Sequence, residues 1–165
     1  MTSTFSSMSV LENVQMALFS FHKRTKSLIQ KVSRLYVDES MALLKLLGID
    51  DQADRACGVL AYGDLKRVEL AVALANKPRL LLMDEPTAGM GPAERQSLME
   101  LTADIVRTRS IGVLFTEHDM EVVFNHADRI IVLNRGELVA EGTPNEVQAN
   151  EKVKEIYLGH GEAAG

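Results

Sequence analysis

Residues 79–86, Arg-Leu-Leu-Leu-Met-Asp-Glu-Pro, constrain this chain more than any other stretch. Four consecutive apolar residues, Leu80, Leu81, Leu82 and Met83, run straight into Asp84 and Glu85. That pattern predicts a short strand buried on both faces whose carboxyl end presents two acids. Pro86 then stops the strand. A carboxylate inside such an apolar run is costly unless paired. The two acids therefore either open an ordinary solvated loop or face a cavity or a cation.

The rest of the composition sets bounds on that choice. With 165 residues, 46% hydrophobic and 25% charged, the chain can bury one core. Its net charge of −5 argues against nucleic acid as the main partner, because phosphate binding needs a basic surface. Cys57 is the sole cysteine, so an intrachain disulfide is excluded. No run reaches the roughly 18 apolar residues of a membrane span, and residues 1–21 lack the basic start of a secretion signal. A soluble chain in a reducing, cytosolic compartment is expected.

Ser9 and Glu12 have the spacing of a capping box and predict a helix over residues 9–19. Lys23, Arg24, Lys26, Lys31 and Arg34 follow with no acid among them, which suits either a solvated helix face or a contact with an acidic partner or membrane surface. Asp38 or Glu39 opens a helix over 40–47 that Gly48 ends as a left-handed cap. A further helix follows residues 60–64, with Leu65, Val68, Val72 and Ala75 on one side, and Gly63 is expected just before its first turn. A glycine there marks either a plain cap or a place where bare amides meet an anion. Pro92 starts a helix to about Thr108, with Leu98, Leu101 and Ile105 inward. Residues 111–116 form a second strand that ends on Glu117, His118 and Asp119, before another helix. Residues 129–134 form a third strand, which Arg135-Gly136 turns into a hairpin with 137–141. Thr143 to Glu146 is a second capping box, and a tail at 159–165 is expected to be disordered. Alternating strands and helices with short turns predict an α/β fold with a mostly parallel sheet, whose ligands gather at the carboxyl ends of the strands.

Taken together, Leu60-Ala61-Tyr62-Gly63-Asp64, Asp84-Glu85 about twenty residues on, the turn Ala88-Gly89-Met90-Gly91-Pro92 and His118 at a strand end resemble the ABC-type ATPase domain. Leu-Ala-Tyr-Gly, Thr-Glu-His-Asp-Met and Glu-Gly-Thr-Pro are most similar to the ATPase subunits of branched-chain amino acid importers. The resemblance covers the chain from about Met8. It implies a partial P-loop NTPase fold: a helical subdomain over 1–76, the ATPase core over 77–158 with a C-terminal hairpin and helices, and the tail. It further implies that residues 60–64 are the signature motif, contacting in trans a nucleotide held by an opposing subunit. Ala88, Gly89, Met90 and Gly91 become the D-loop. Asp84 becomes the Mg²⁺ ligand, Glu85 the residue that orients or deprotonates the attacking water, and His118 the sensor of the γ-phosphate. ATP and Mg²⁺ are the implied cofactors. Transmembrane permease subunits, a second identical or paralogous ATPase subunit and, indirectly, a solute-binding protein are the implied partners, on the inner face of a bacterial cytoplasmic membrane.

Where the common signature has serine, glycine and glutamine, this chain has Ala61, Tyr62 and Asp64, and Gly91 stands where the wider family has aspartate. The lost serine contact to a charged group is worth about 1.5–3 kcal/mol. A larger departure is that no Gly-x-x-x-x-Gly-Lys-Ser/Thr occurs: Gly58 to Gly63 has the glycine spacing but continues Asp64-Leu65. By that likeness the chain begins where the helical subdomain begins, as expected of a longer protein that has been cut or whose start is called internally. Two functions follow: a truncated ATPase subunit, or an interaction module or decayed-gene product that docks on a permease or ATPase partner without binding ATP in cis.

Overall fold

The computed structural model describes residues 4–22 and 36–158. The basic residues Lys23, Arg24, Lys26, Lys31 and Arg34 and the tail at 159–165 lie outside the described residues. Two compact units divide the chain, one running to Thr116 and the other starting at Glu117.

In the first unit, α1 spans Val10–His22. Its start is the capping box: Ser9 Oγ accepts from the Glu12 amide at 3.1 Å, and Glu12 Oε2 accepts from the Ser9 amide at 2.8 Å. Val10, Val14 and Leu18, four residues apart, form its buried stripe. Replacing Ser9 with alanine is expected to cost about 1 kcal/mol, read as a lower urea midpoint. An unchanged midpoint would show that the cap contributes nothing.

Helix α2 spans Val37–Leu46 and begins earlier than expected. Tyr36 takes the left-handed N-cap position, so Asp38 and Glu39 lie inside the first turn, where carboxylates oppose the positive helix end. Burial pushes the Glu39 carboxyl up, but hydrogen bonds and charge from Lys77 and His22 outweigh it and hold it below its ordinary value. Gly48, at φ +65°, ends the helix as expected. Helix α3 spans Tyr62–Ala75, so Gly63 falls within its first turn rather than before it. The extended backbone of Ala61 supplies the N-cap. Val68, Ala71, Leu74 and Ala75 of α3 pack with α1, with Leu43, Leu44 and Leu47, and with Leu81 in one core.

Strand β1 spans Leu80–Asp84 and α4 spans Pro92–Arg109, with Leu98 and Ile105 buried and Leu101 packed against the core. Strand β2 spans Gly112–Thr116 and pairs parallel with β1, from Leu80 opposite Gly112 to Asp84 opposite Thr116. The expectation that β1 is buried on both faces fails. Leu81 is 6% exposed, but Leu80 and Leu82 are 55% and 67% exposed, and Leu114 on β2 is 57% exposed. Side chains alternate across a strand, and the described helices cover only the Leu81 face.

In the second unit, α5 spans Met120–His126, and Asp119 Oδ1 accepts from the Glu121 and Val122 amides at its start. Strands β3 (Ile130–Asn134) and β4 (Glu137–Gly142) form the expected hairpin, with Arg135 and Gly136 at positive φ. Among the described residues β3 pairs only with β4, through the tight turn, and does not extend the parallel sheet as expected. Helix α6 spans Pro144–Ala149, capped by Thr143 and Glu146 as predicted. The Thr143 amide and hydroxyl hold the Glu146 carboxyl below its ordinary value. Helix α7 spans Glu151–Val153, and Val147 and Val153 close a small core with Ile130 and Val132. No described helix is long and apolar enough to cross a membrane.

Candidate functional site

The carboxyl end of β1 is built by its pairing with β2. Asp84 and Thr116 face each other in register, and Asp84 Oδ1 accepts from Thr116 Oγ1 at 2.6 Å. The next residue, Glu85, sits at φ +44°, in the left-handed region that non-glycine residues rarely occupy. Its amide donates to the Thr116 carbonyl at 3.0 Å and lies 3.2 Å from Thr116 Oγ1, which holds the strained turn. The result is an exposed pair of acids, one steadied by a hydroxyl and the other turned off the strand line. Thr116 escapes sequence reading because its partnership with Asp84 crosses 32 positions.

Beyond Glu85 the chain turns twice. The Ala88 amide donates to the Glu85 carbonyl and the Met90 amide to the Thr87 carbonyl, both at 3.2 Å, with Thr87 buried beneath. Gly89, at φ +78°, makes the second bend. Gly91 is the N-cap of α4, and its amide donates to Glu94 Oε2 at 3.3 Å.

Residues 60–64 stand beside this turn. A Cβ placed on Gly89 would lie 3.7 Å from the Tyr62 ring, and one on Gly63 would lie 3.5 Å from both Met90 Cε and Glu94 Oε1. Ala61 caps α3 through its extended backbone, without a side-chain cap hydrogen bond. The methyl-sized space at Gly63 is ordinary van der Waals room, so the chain's own packing does not require glycine there. Lys66 Nζ lies 5.2 Å over the Tyr62 ring and 3.2 Å from Glu69. Burial pulls the Lys66 ammonium down, but Glu69 and the Tyr62 hydroxyl overcome this and raise it above its ordinary value.

A cleft of about 220 Å³ opens between Gly63, Arg67, Met90, Ala93, Glu94 and Ser97. Arg67 spans its floor, donating to the Leu47 carbonyl and to Ser97 Oγ, each at 2.9 Å. Sequence reading does not reveal these contacts, because both partners are distant in sequence.

The structure thus brings residues 60–64 against 88–91, and joins 88–91 through one turn to Asp84 and Glu85. His118 lies in the other unit, two residues past Thr116 along the chain, and is exposed. Among the described residues no group of three or more His, Cys, Asp or Glu is poised to hold a metal ion. Asp84 and Thr116 offer hard oxygen donors from one carboxylate and one hydroxyl, a set that fits a magnesium ion completed by phosphate oxygens and water.

Comparison with known proteins accords with this arrangement. The "ABC transporter" family matches residues 2–88, and "Branched-chain amino acid ATP-binding cassette transporter" matches residues 137–163. The chain is 36% identical to the high-affinity branched-chain amino acid transport ATP-binding protein LivG of Escherichia coli (strain K12), over 94% of this chain and 64% of that protein. It is 39% identical to the high-affinity branched-chain amino acid transport ATP-binding protein BraF of Pseudomonas aeruginosa, over 70% of this chain and 46% of that one. A crystal structure of an ATP-binding cassette of an ABC transporter in its ADP conformation superposes with a TM-score of 0.76 at 27% identity, covering 94% of this chain and 64% of the other. The chain therefore spans less than two-thirds of the length of these relatives. Its fold is a partial ABC ATPase domain, and the chain belongs to the ABC transporter family.

Proposed function

We propose that these residues supply the hydrolytic and trans-acting half of an importer ATPase for branched-chain amino acids or a similar small polar solute. The observation that carries this reading is the tip of the parallel pair, where a hydroxyl-steadied Asp84 and a strained Glu85 lead into a turn that touches the start of α3. Asp84 takes the role of Mg²⁺ ligand. Glu85 holds or deprotonates the attacking water, a role that calls for a carboxylate near the reacting phosphate. The first-turn amides around Gly63, with Leu60, Ala61, Tyr62 and Asp64, close on the phosphates of a nucleotide bound by the opposing subunit. Ala88, Gly89, Met90 and Gly91 relay between that contact and Glu85. His118 donates toward the γ-phosphate. ATP, when bound, supplies the phosphoryl group whose hydrolysis is coupled to import.

The same reading places the chain on the cytoplasmic face of a bacterial membrane, docked on permease subunits, paired with a second ATPase subunit and fed by a solute-binding protein. The bare apolar face of Leu80, Leu82 and Leu114 needs a cover. We assign it to the segment that carries the phosphate loop, on the same polypeptide or another.

A docking module that binds no ATP in cis is the second reading, and one observation favours it. The Gly58 to Gly63 spacing is no phosphate loop, since Gly58 sits in a 3-10 turn (Cys57–Val59) and Gly63 in α3. The purified 165-residue chain is accordingly expected to turn over Mg-ATP negligibly. Turnover above background that Glu85→Gln abolishes would overturn that expectation. Restored turnover on adding a phosphate-loop segment would separate the ATPase reading from the docking one.

A further inference from the structure

The start of α3 has no side-chain cap of its own, so its position is set from upstream. Two extended residues, Leu60 and Ala61, join it to the 3-10 turn Cys57–Val59, whose last bond runs from the Leu60 amide to the Cys57 carbonyl at 3.3 Å. That turn is in turn tied to a strap formed by residues 5–10. The Gly58 amide donates to the Ser6 carbonyl at 2.9 Å, the Cys57 amide to the Met8 carbonyl at 3.0 Å, and the Val10 amide to the Arg55 carbonyl at 2.9 Å. Ser9 and Ala56 form an antiparallel bridge between the two.

One side chain holds the strap. Asn13, on the buried side of α1, is 3% exposed. Its Oδ1 accepts from the Phe5 amide at 2.7 Å. Its Nδ2 donates into a fan of acceptors: the Ser9 carbonyl at 2.9 Å, the Phe5 carbonyl at 3.2 Å, the Met8 carbonyl at 3.4 Å and Cys57 Sγ at 3.2 Å. Only an amide fits, because the site demands an acceptor on one arm and donors on the other. Asn13 therefore touches both the strap and the turn that precedes residues 60–64, and both of its arms are engaged.

We propose that Asn13 is a positioning residue for residues 60–64: by pinning the 5–10 strap against 55–59, it fixes the angle at which the first amides of α3 meet a phosphate. This rests on the phosphate-contact role given above to residues 60–64. Gly58 belongs to the same device. A Cβ there would stand 3.0 Å from the Ser6 carbonyl oxygen and 3.2 Å from Ser6 Cβ, so the strap lies as close as a glycine allows.

Amide hydrogen exchange on the full 165-residue chain tests this, comparing the wild type with Asn13→Ala, Asn13→Asp and Gly58→Ala. In all three, the Cys57, Gly58, Leu60 and Leu65 amides are expected to exchange about tenfold faster, the loss of about one hydrogen bond's worth of protection. Leu74 and Ala75, at the far end of α3, are expected to change by less than about twofold. Asn13→Asp keeps the acceptor for Phe5 but turns oxygens toward three carbonyls. Gly58→Ala reaches the same result from the strap side with Asn13 intact. Acceleration confined to Cys57 and Gly58, with Leu60 and Leu65 at wild-type rates, would overturn the proposal. So would uniform acceleration through Leu74 and Ala75 in every variant. No nucleotide enters this measurement, so its failure leaves the phosphate-contact reading standing. If instead Glu85→Gln left turnover unchanged, the catalytic reading would fall while the exchange result stood.

Discussion

Glu85→Gln is expected to lower ATP turnover by about 10²–10⁴ in a transporter assembled from this chain, its permease and the phosphate-loop segment, the range typical of a lost general base. The substitution is close to isosteric, and the Glu85 amide bonds to Thr116 hold the backbone at this position. The left-handed turn is therefore expected to survive. The amide can still hydrogen-bond water but cannot take its proton, so nucleotide binding is retained while hydrolysis is lost. KM for Mg-ATP should stay within about threefold as kcat falls, since only an interaction made in the transition state is removed. A variant that hydrolyses ATP at more than about half the wild-type rate would remove Glu85 from the chemistry and favour the docking reading, because no general-base role tolerates that.

How far this site can be read from residues alone depends on the sequence distance over which each contact is made. The Ser9–Glu12 and Thr143–Glu146 boxes form as expected because both partners of each lie within one helical turn. The tip of β1 is legible for a similar reason: apolar run, acids and proline are contiguous. Thr116 against Asp84 and Arg67 against Ser97 are not legible, since strand register and helix packing decide them. Nor is the 5–10 strap, whose partners begin some 45 residues later at Arg55 and Cys57. The bare face of β1 shows the converse failure. Leu80 to Met83 is apolar at every position, so the run lacks the alternation that would say which face is covered. Helix starts are displaced at Val37 and Tyr62 because Tyr36 and Ala61 cap with backbone geometry alone and leave no side-chain signal.

Gly63 offers the sharpest separation between what the chain needs to fold and what it needs to act. The structure leaves ordinary room for a methyl group at Gly63, and alanine in a helix is favoured over glycine by about 0.5–1 kcal/mol. Gly63→Ala is thus expected to raise the urea midpoint of the chain, whereas Asp at the same place gains from the first-turn dipole but meets Glu94, whose Oε1 lies 3.5 Å from the Cβ position. Turnover in the assembled transporter should move the other way. If the first amides of α3 close on a phosphate, Gly63→Asp sets a carboxylate about 4 Å from it. Two like charges at that distance repel by about 4 kcal/mol at an effective dielectric constant of about 20, close to a thousandfold in rate. Gly63→Ala carries only the steric part and should fall between the two. Stability gained with activity lost, and the aspartate far worse than the alanine, would identify the missing side chain as space kept for an anion. Turnover at the wild-type rate in both variants would mean that no phosphate approaches Gly63, and residues 60–64 would then be no more than the start of a helix.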